Sequence, residues 1–518
     1  MTKNTEFKFY ISAKGTFYVD CGENGALSGT GVSGNNTISK SNTNAVTYTC
    51  TYNTTGGVKT IQFGGLASDY SISDTTIRFT ITPKLVGGIS GSLGAIFPTL
   101  DSNDDEQQPR FINTFSGCSN MTGTIPSKLF ENITGAPVSN MFYYTFNGCS
   151  GLSGQIPSGL FGTISGQPAQ GMFYGTFQGC SGLSGQIPSG LFGNISGQPV
   201  QNMFSATFSG CSGLSGQIPS GLFGNISGTP AQNMFNATFQ GCSGLSGQIP
   251  SGLFGTPSGT PANGMFAGTF QNCSGLSGQI PSGLFGTPSG TPASSMFFAT
   301  FQNCSGLSGQ IPSGLFGTLS GTPASDMFRQ TFHGCSGLSG SIPSGLFGNL
   351  SGAASSGNIF YLTFDSCSNL TGYIPSDLFK NVTSYVEAYN AFRSTNLYTT
   401  CPCGTRPAAT GWGATTVNSK AVCEVGLKFG EHWNNGVCTT DCASGISQLK
   451  TSNGLSYPIL SSATTDHNIH IQTSDNSVCY VPLATGNASN ALKVLLNGTT
   501  YHATVPDETV PVGFTGQP

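Results

Sequence analysis

The sequence predicts a mixed α/β solenoid of nine 31-residue coils set between small β-sandwich-like domains. Cysteine returns every 31 residues at Cys118, Cys149, Cys180, Cys211, Cys242, Cys273, Cys304 and Cys335, and then at Cys367. Around each cysteine runs the same motif, seen in one copy as Met203-Phe204-Ser205-Ala206-Thr207-Phe208-Ser209-Gly210-Cys211, followed by Ser-Gly-Leu, Ile-Pro and a Leu-Phe pair. A fixed period of this size marks coils that bury their apolar side against their neighbours. Only 7% of the 518 residues are charged and 75 are Gly, a composition that by itself suggests disorder. Thirty-seven Phe at periodic positions argue against it, because a disordered chain lacks apolar residues to bury.

Residues 1–85 read as a small β-sandwich. Phe7, Phe9 and Ile11 alternate, as do Phe17 and Val19, and later apolar runs at 46–52 and 58–63 are separated by Gly/Asn turns. The succession at 17–25, Tyr48-Thr49-Cys50-Thr51-Tyr52 and 56–61 resembles the polycystic-kidney-disease type of immunoglobulin-like domain. Cys21 stands where that family has a Trp and Cys50 where it has a His. Both departures being Cys, the resemblance implies a disulfide between them. Residues 86–110 read as a linker and N-terminal cap. Within them, Asp101 to Asp105 match the opening of a calcium loop, but Glu106 replaces the required Gly and Ile112 the twelfth-position carboxylate, so a solvated linker is the reading.

Residues 111–391 hold the repeats. The segment Leu-Ser-Gly-Gln-Ile-Pro, as at 214–219, is short and ends on a residue that cannot donate to a ladder, and it is read as the single strand of each coil. Met-Phe-x-x-Thr-Phe-x-x-Cys places apolar residues at spacings of four and three, which predicts one or two helical turns on the opposite wall. The ends of the array carry charge, with Lys128 and Glu131 in the first repeat and Asp377, Lys380, Glu387 and Arg393 in the last, as capping coils require. The repeated Phe-x-x-Cys-Ser-Gly-Leu, Ile-Pro and Leu-Phe resemble the BspA-like leucine-rich repeats of bacterial surface proteins. The longer period departs from that family, and the extra loop is placed at 197–202. The resemblance implies a leucine-rich-repeat solenoid and extracellular adhesion or host-surface binding, and it supplies no binding residues.

Residues 392–445 change character, with Cys401, Cys403, Cys423, Cys438 and Cys442, and Cys479 follows in the tail. These six permit 15 pairings. Cys-x-Cys and Cys-x-x-x-Cys are poor zinc spacings, so disulfides are the preferred reading. Residues 446–518 return to alternation, as at Ile469-His470-Ile471, with Asn497-Gly498 signalling a hairpin, and predict a small C-terminal β-domain.

The chemistry expected is binding. The nine repeat cysteines read as buried thiols acting as small apolar residues, since equivalent side chains in adjacent coils lie parallel rather than facing. Neither a nucleophile elbow nor a phosphate-binding loop is present, and no cofactor, metal or catalytic residue is assigned. The net charge is -4 and no charged residue stands between Glu131 and Asp326, which argues against nucleic acid and anionic membranes as partners. No uninterrupted apolar run could insert into a membrane. Cysteine usage and Ser/Thr/Asn richness point to an extracellular or cell-surface location, although residues 1–8 lack the apolar run of a secretory signal. The residues after Met-Phe vary between coils, and their aromatic and basic members, Tyr143, Tyr144, Tyr174, Phe298 and Arg329, are the candidate ligand contacts. Two readings follow: an adhesin presenting a neutral surface to a glycan or protein, or a structural spacer whose uncharged faces self-associate.

Overall fold

The structure, a computed structural model, describes residues 6–53, 57–352 and 357–373, then residues 375, 378 and 391–398 and short strands between residues 416 and 512. The N-terminal strands are β1 (Glu6–Ile11), β2 (Lys14–Asp20), β3 (Gly25–Ser28), β4 (Val32–Ser33), β5 (Thr37–Lys40), β6 (Val46–Tyr52), β7 (Gln62–Asp69) and β8 (Ile77–Arg78). They form two four-stranded antiparallel sheets, ordered β3-β6-β1-β8 and β4-β5-β2-β7. Alternation sets which side chains enter the core: Phe9, Phe17, Val19, Ile38 and Tyr48 are fully covered. Cys21 and Cys50 are joined by a disulfide, with Cα atoms 5.6 Å apart.

This unit packs directly onto the first coil. Thr76 and Phe79 donate their backbone N–H groups to Arg110 and Thr114 carbonyls at 2.7 and 2.8 Å. The Phe79 ring stacks on Phe115 at 5.3 Å. Residues 86–110 are themselves wound onto the repeat array, with Leu93 donating to Leu129 O and Thr99 to Asn132 O. One hydrophobic core therefore runs from the sandwich into the coils without a break.

The repeats form a β-solenoid. Strands β9 (Thr134–Gly135), β10 (Thr163–Gly166), β11 (Asn194–Gly197), β12 (Asn225–Gly228), β13 (Thr256–Gly259), β14 (Thr287–Gly290), β15 (Thr318–Gly321) and β16 (Asn349–Leu350) make one parallel eight-stranded sheet in chain order. Ser165 pairs with Asn194 and Ser196 with Asn225, so hydrogen-bonded partners lie 29 residues apart while the sequence repeats every 31. Each strand is thus staggered by two residues on the next, and eight strands give about seven turns.

Three expectations are corrected. The fold is not mixed α/β, because no α-helix occurs among the described residues. The principal strand is Thr/Asn-x-Ser-Gly, with Ile, Leu or Pro second, and its last residue, as Gly197, falls in the stretch expected to be an extra loop. The 214–219 segment and its equivalents contribute only a single parallel bridge per coil, such as Gly185 with Leu214. Gly216, at φ +75°, bends that segment in its middle, and the following Pro lacks a donor.

The wall expected to be helical has a different hydrogen-bond pattern. Phe142, Tyr144, Phe146 and Gly148 donate to Met172, Tyr174, Thr176 and Gln178 of the next coil, whereas Met141, Tyr143, Asn147 and Cys149 close local turns three residues back. Side chains consequently go inward and outward in pairs: Met141 and Phe142 in, Tyr143 and Tyr144 out, Thr145 and Phe146 in. Every fourth residue, Asn140, Tyr144 and Gly148, has positive φ. The resulting period of four mimics a helix over nine residues.

The inward groups explain the invariant positions. Phe177, Phe208, Phe239, Phe270 and Phe301 stack at 5.6 to 5.7 Å between coils. Their buried carbonyls need partners, and the next coil supplies them: Cys211 Sγ donates to Phe177 O at 3.0 Å and Thr207 Oγ1 to Phe173 O at 2.9 Å. The nine repeat cysteines are free and buried. In the seven repeats where a glycine follows the Leu-Phe pair it has no room for a side chain, as a Cβ on Gly224 would lie 2.0 Å from Ile195 O.

The C-terminal region carries short antiparallel pairs, including Asn468–Gln472 with Val478–Pro482 and Thr499–Val505 with Glu508–Val512. Leu495 and Leu496 pair with Thr500 and Thr499 on either side of Asn497-Gly498. Cys401, Cys403, Cys423 and Cys442 lie outside the described residues, and Cys438 and Cys479 stand on the strands Val437–Thr439 and Val478–Pro482.

Candidate binding surface

The outward pairs of the turn wall form columns along the solenoid, one residue per coil. The first column reads Tyr143, Tyr174, Ser205, Asn236, Ala267, Phe298, Arg329 and Tyr361. Its neighbour, at positive φ, reads Tyr144, Gly175, Ala206, Ala237, Gly268, Ala299 and Gln330. All five sequence candidates therefore lie on one face, but the structure gathers them into two groups rather than one.

The first group is a tyrosine cluster. Tyr143 and Tyr174 stack at 4.9 Å, and the Tyr144 ring meets them edge-on at 4.6 and 5.0 Å. Burial, and then its hydrogen bond to Tyr174, raises the Tyr144 phenol above its ordinary range, and burial does the same to Tyr143. Gly175 makes this arrangement possible. A Cβ there would fall 2.2 Å from Tyr144 Cε1, so the ring lies against bare backbone of the next coil. Nothing in the sequence singles out this glycine among 75.

Four coils further on, the Arg329 guanidinium sits 5.5 Å from the Phe298 ring and 5.5 Å from Tyr361, and its Nη1 is 3.3 Å from Asp326 Oδ1. Tyr361 is the member that the sequence reading missed, because the 32-residue spacing before Cys367 shifts it out of the simple register.

Between the groups the column drops to small side chains, with Ser205 2% and Ala267 5% exposed. An amide row borders them: Ser209 Oγ donates to Gln240 Oε1 at 3.3 Å, Gln240 Nε2 to Gln271, and Gln271 Nε2 to Gln302. The sheet face is also polar and uncharged, with Thr163 and Ser165, Asn194 and Ser196, and Asn225 and Ser227 outward in successive strands.

At the C-terminal end of this wall, buried Asp365 receives Arg393 at 2.9 and 2.8 Å and lies 3.0 Å from His333 Nδ1. Burial alone would raise its pKa, but the hydrogen bonds from His333 and Arg393 outweigh it and hold the carboxyl below its usual range. No group of three or more His, Cys, Asp or Glu suited to a metal ion occurs among the described residues. No helix among them is long and apolar enough to cross a membrane.

The repeat thiols are poor nucleophiles. Burial pushes Cys180, Cys242 and Cys304 up to about 12, and the others upward as well. No protein-family model matches the chain, and comparison with curated proteins and with solved structures also returns no match.

Proposed function

We propose that this chain is an extracellular or cell-surface binding protein whose solenoid presents its turn wall to a glycan or a partner protein. The observation that carries this reading is the juxtaposition on one face of two aromatic groups and a continuous amide row, with its charges confined to the C-terminal end. Aromatic side chains supply contact area at low entropic cost, and fixed amides supply directional hydrogen bonds. The Cys21–Cys50 disulfide supports an oxidising location. The nine reduced thiols are compatible with one, because burial denies them both thiolate character and access. The adhesin reading drawn from the BspA-like motif belongs to the same proposal.

The test is binding of the full chain to immobilised mucins, glycans and extracellular-matrix proteins. Saturable binding that weakens in a Tyr143→Ser/Phe298→Ala variant supports it, and a blank panel refutes it. The repeating Thr/Asn-x-Ser sheet face favours a second reading, a self-associating spacer. Sedimentation should then show mass rising with concentration, and a strict monomer eliminates that reading.

A further inference from the structure

We infer that the turn wall from the coil of Cys180 to the coil of Cys304 is a subsite for a linear, uncharged oligosaccharide lying along the solenoid axis, seated between the Tyr174 and Phe298 ends. This rests on the binding reading above and specifies its ligand. The floor between them is low, with the Asn236 side chain partly exposed and Ser205 and Ala267 almost covered, and each end is an aromatic ring backed by a second group, Tyr143 behind Tyr174 and Arg329 behind Phe298. The span is four coil steps, and with Phe rings stacked at 5.6 to 5.7 Å per step this is about 23 Å, the length of an extended oligosaccharide rather than one sugar.

Charge selects the class. No cation lies between Glu131 and Asp326, and the one at the Phe298 end, Arg329, is already paired with Asp326 at 3.3 Å, so an anionic chain would lose its water on this floor without compensation. Sugar C–H faces match the aromatic rings, and hydroxyls match the Gln240, Gln271 and Gln302 row. The strip is one outward pair wide beside the amide row, as with Asn236 and Ala237 beside Gln240, which suits a chain better than the broad patch a folded protein needs.

The repeat supplies its own controls. Ser205 occupies the position equivalent to Tyr174, Ala267 that of Phe298, and Ala206, Ala237 and Ala299 occupy that of Gly175 at φ 53°, 51° and 51°. Tyr174→Ser, Phe298→Ala and Gly175→Ala therefore install residues that this backbone already accepts. The experiment is calorimetric titration of the full chain with glucose, and with maltose-, cellulose-, laminarin- and mannan-type oligomers of increasing length, beside a heparin oligosaccharide and a mucin.

The expected result is affinity for at least one neutral series that grows with length until the span is filled. Tyr174→Ser and Phe298→Ala should each weaken it by about tenfold, Gly175→Ala should weaken it through Tyr144, and all three variants should still unfold in one cooperative step, which shows that the solenoid is intact. Length-independent affinity, preference for heparin, or affinity untouched by both end variants overturns the inference. Mucin binding without any neutral-oligomer binding overturns it while leaving the broader reading intact. Failure of every probe overturns both.

Discussion

Alkaline pH should unfold the solenoid coil by coil through its thiols. Each repeat cysteine from Cys149 onward donates to a Phe carbonyl of the preceding coil, and all nine are buried, so each must keep its proton in the folded state. Its folded pKa is raised from an ordinary value of 9.0, to about 12 for Cys118, Cys180, Cys242 and Cys304. A raised folded value means that the stabilisation is fully present below 9 and is lost as pH climbs toward 12, because the unfolded chain ionises first. At pH 10 that amounts to about 1.4 kcal/mol per thiol relative to pH 8, and about 12 kcal/mol for nine.

Buried Tyr48 and Tyr70 also titrate high, so the thiol share needs a subtraction. Cys211, Cys242 and Cys273 changed together to Ala retain backbone donors on the same carbonyls, as Cys180 N–H does on Phe177 O. Urea unfolding at pH 8 and pH 10, in degassed buffer without thiol reagents so that Cys21–Cys50 stays closed, should show the variant losing about 4 kcal/mol less than wild type between the two. Equal losses in the two proteins would refute the reasoning.

Other perturbations separate steric, packing and ionic contributions. Gly224→Ala should cost more than about 2 kcal/mol, because its Cβ would collide with Ile195 O, whereas Gly221→Ala, with similar φ and open space, should cost only about 1 kcal/mol; equal urea midpoints would contradict this. Phe208→Ala removes a ring stacked between Phe177 and Phe239 and should cost about 3–5 kcal/mol by the same assay. Asp365→Asn should loosen the last coils by about 2 kcal/mol at neutral pH. The depressed Asp365 pKa makes its contribution present above about 4 and lost as pH falls through the folded value, so wild type and variant should converge in acid, as read by amide exchange at Phe364 and Ser366.

Much of the architecture was legible because repetition fixes it. A buried residue every 31 positions demands stacked coils whatever the local backbone, so Phe208, Cys211 and Leu214 were placed in the core correctly. The wall type was not legible. Met203, Phe204, Thr207, Phe208 and Cys211 have the spacing of a short helix, and paired turns with two residues in and two out give the same spacing over nine residues. The clue was Asn202 and Gly210, residues suited to positive φ at the two ends of the motif.

The strand's position was not legible, because Leu-Ser-Gly-Gln-Ile-Pro is the longer and more regular apolar repeat and Asn-Ile-Ser-Gly the shorter. The latter has only one buried side chain per coil, such as Ile195 or Ile226. Tyr143, Tyr174, Phe298 and Arg329 could be read as variable outward positions, but their division into two clusters could not. That division depends on Gly175 yielding space to Tyr144, and on Tyr361 closing over Arg329, contacts between coils that no local pattern encodes.

The central claim is that partners engage the turn wall of the solenoid. Hydrogen exchange on the full chain, free and saturated with the tightest-binding member of the panel, tests it most directly. The account predicts added protection at the amides of Tyr143, Tyr174, Ser205, Asn236, Ala267 and Phe298, which close local turns beneath the outward column, and none on the Thr/Asn-x-Ser strands. Protection confined to the N-terminal sandwich or to the sheet face would contradict it.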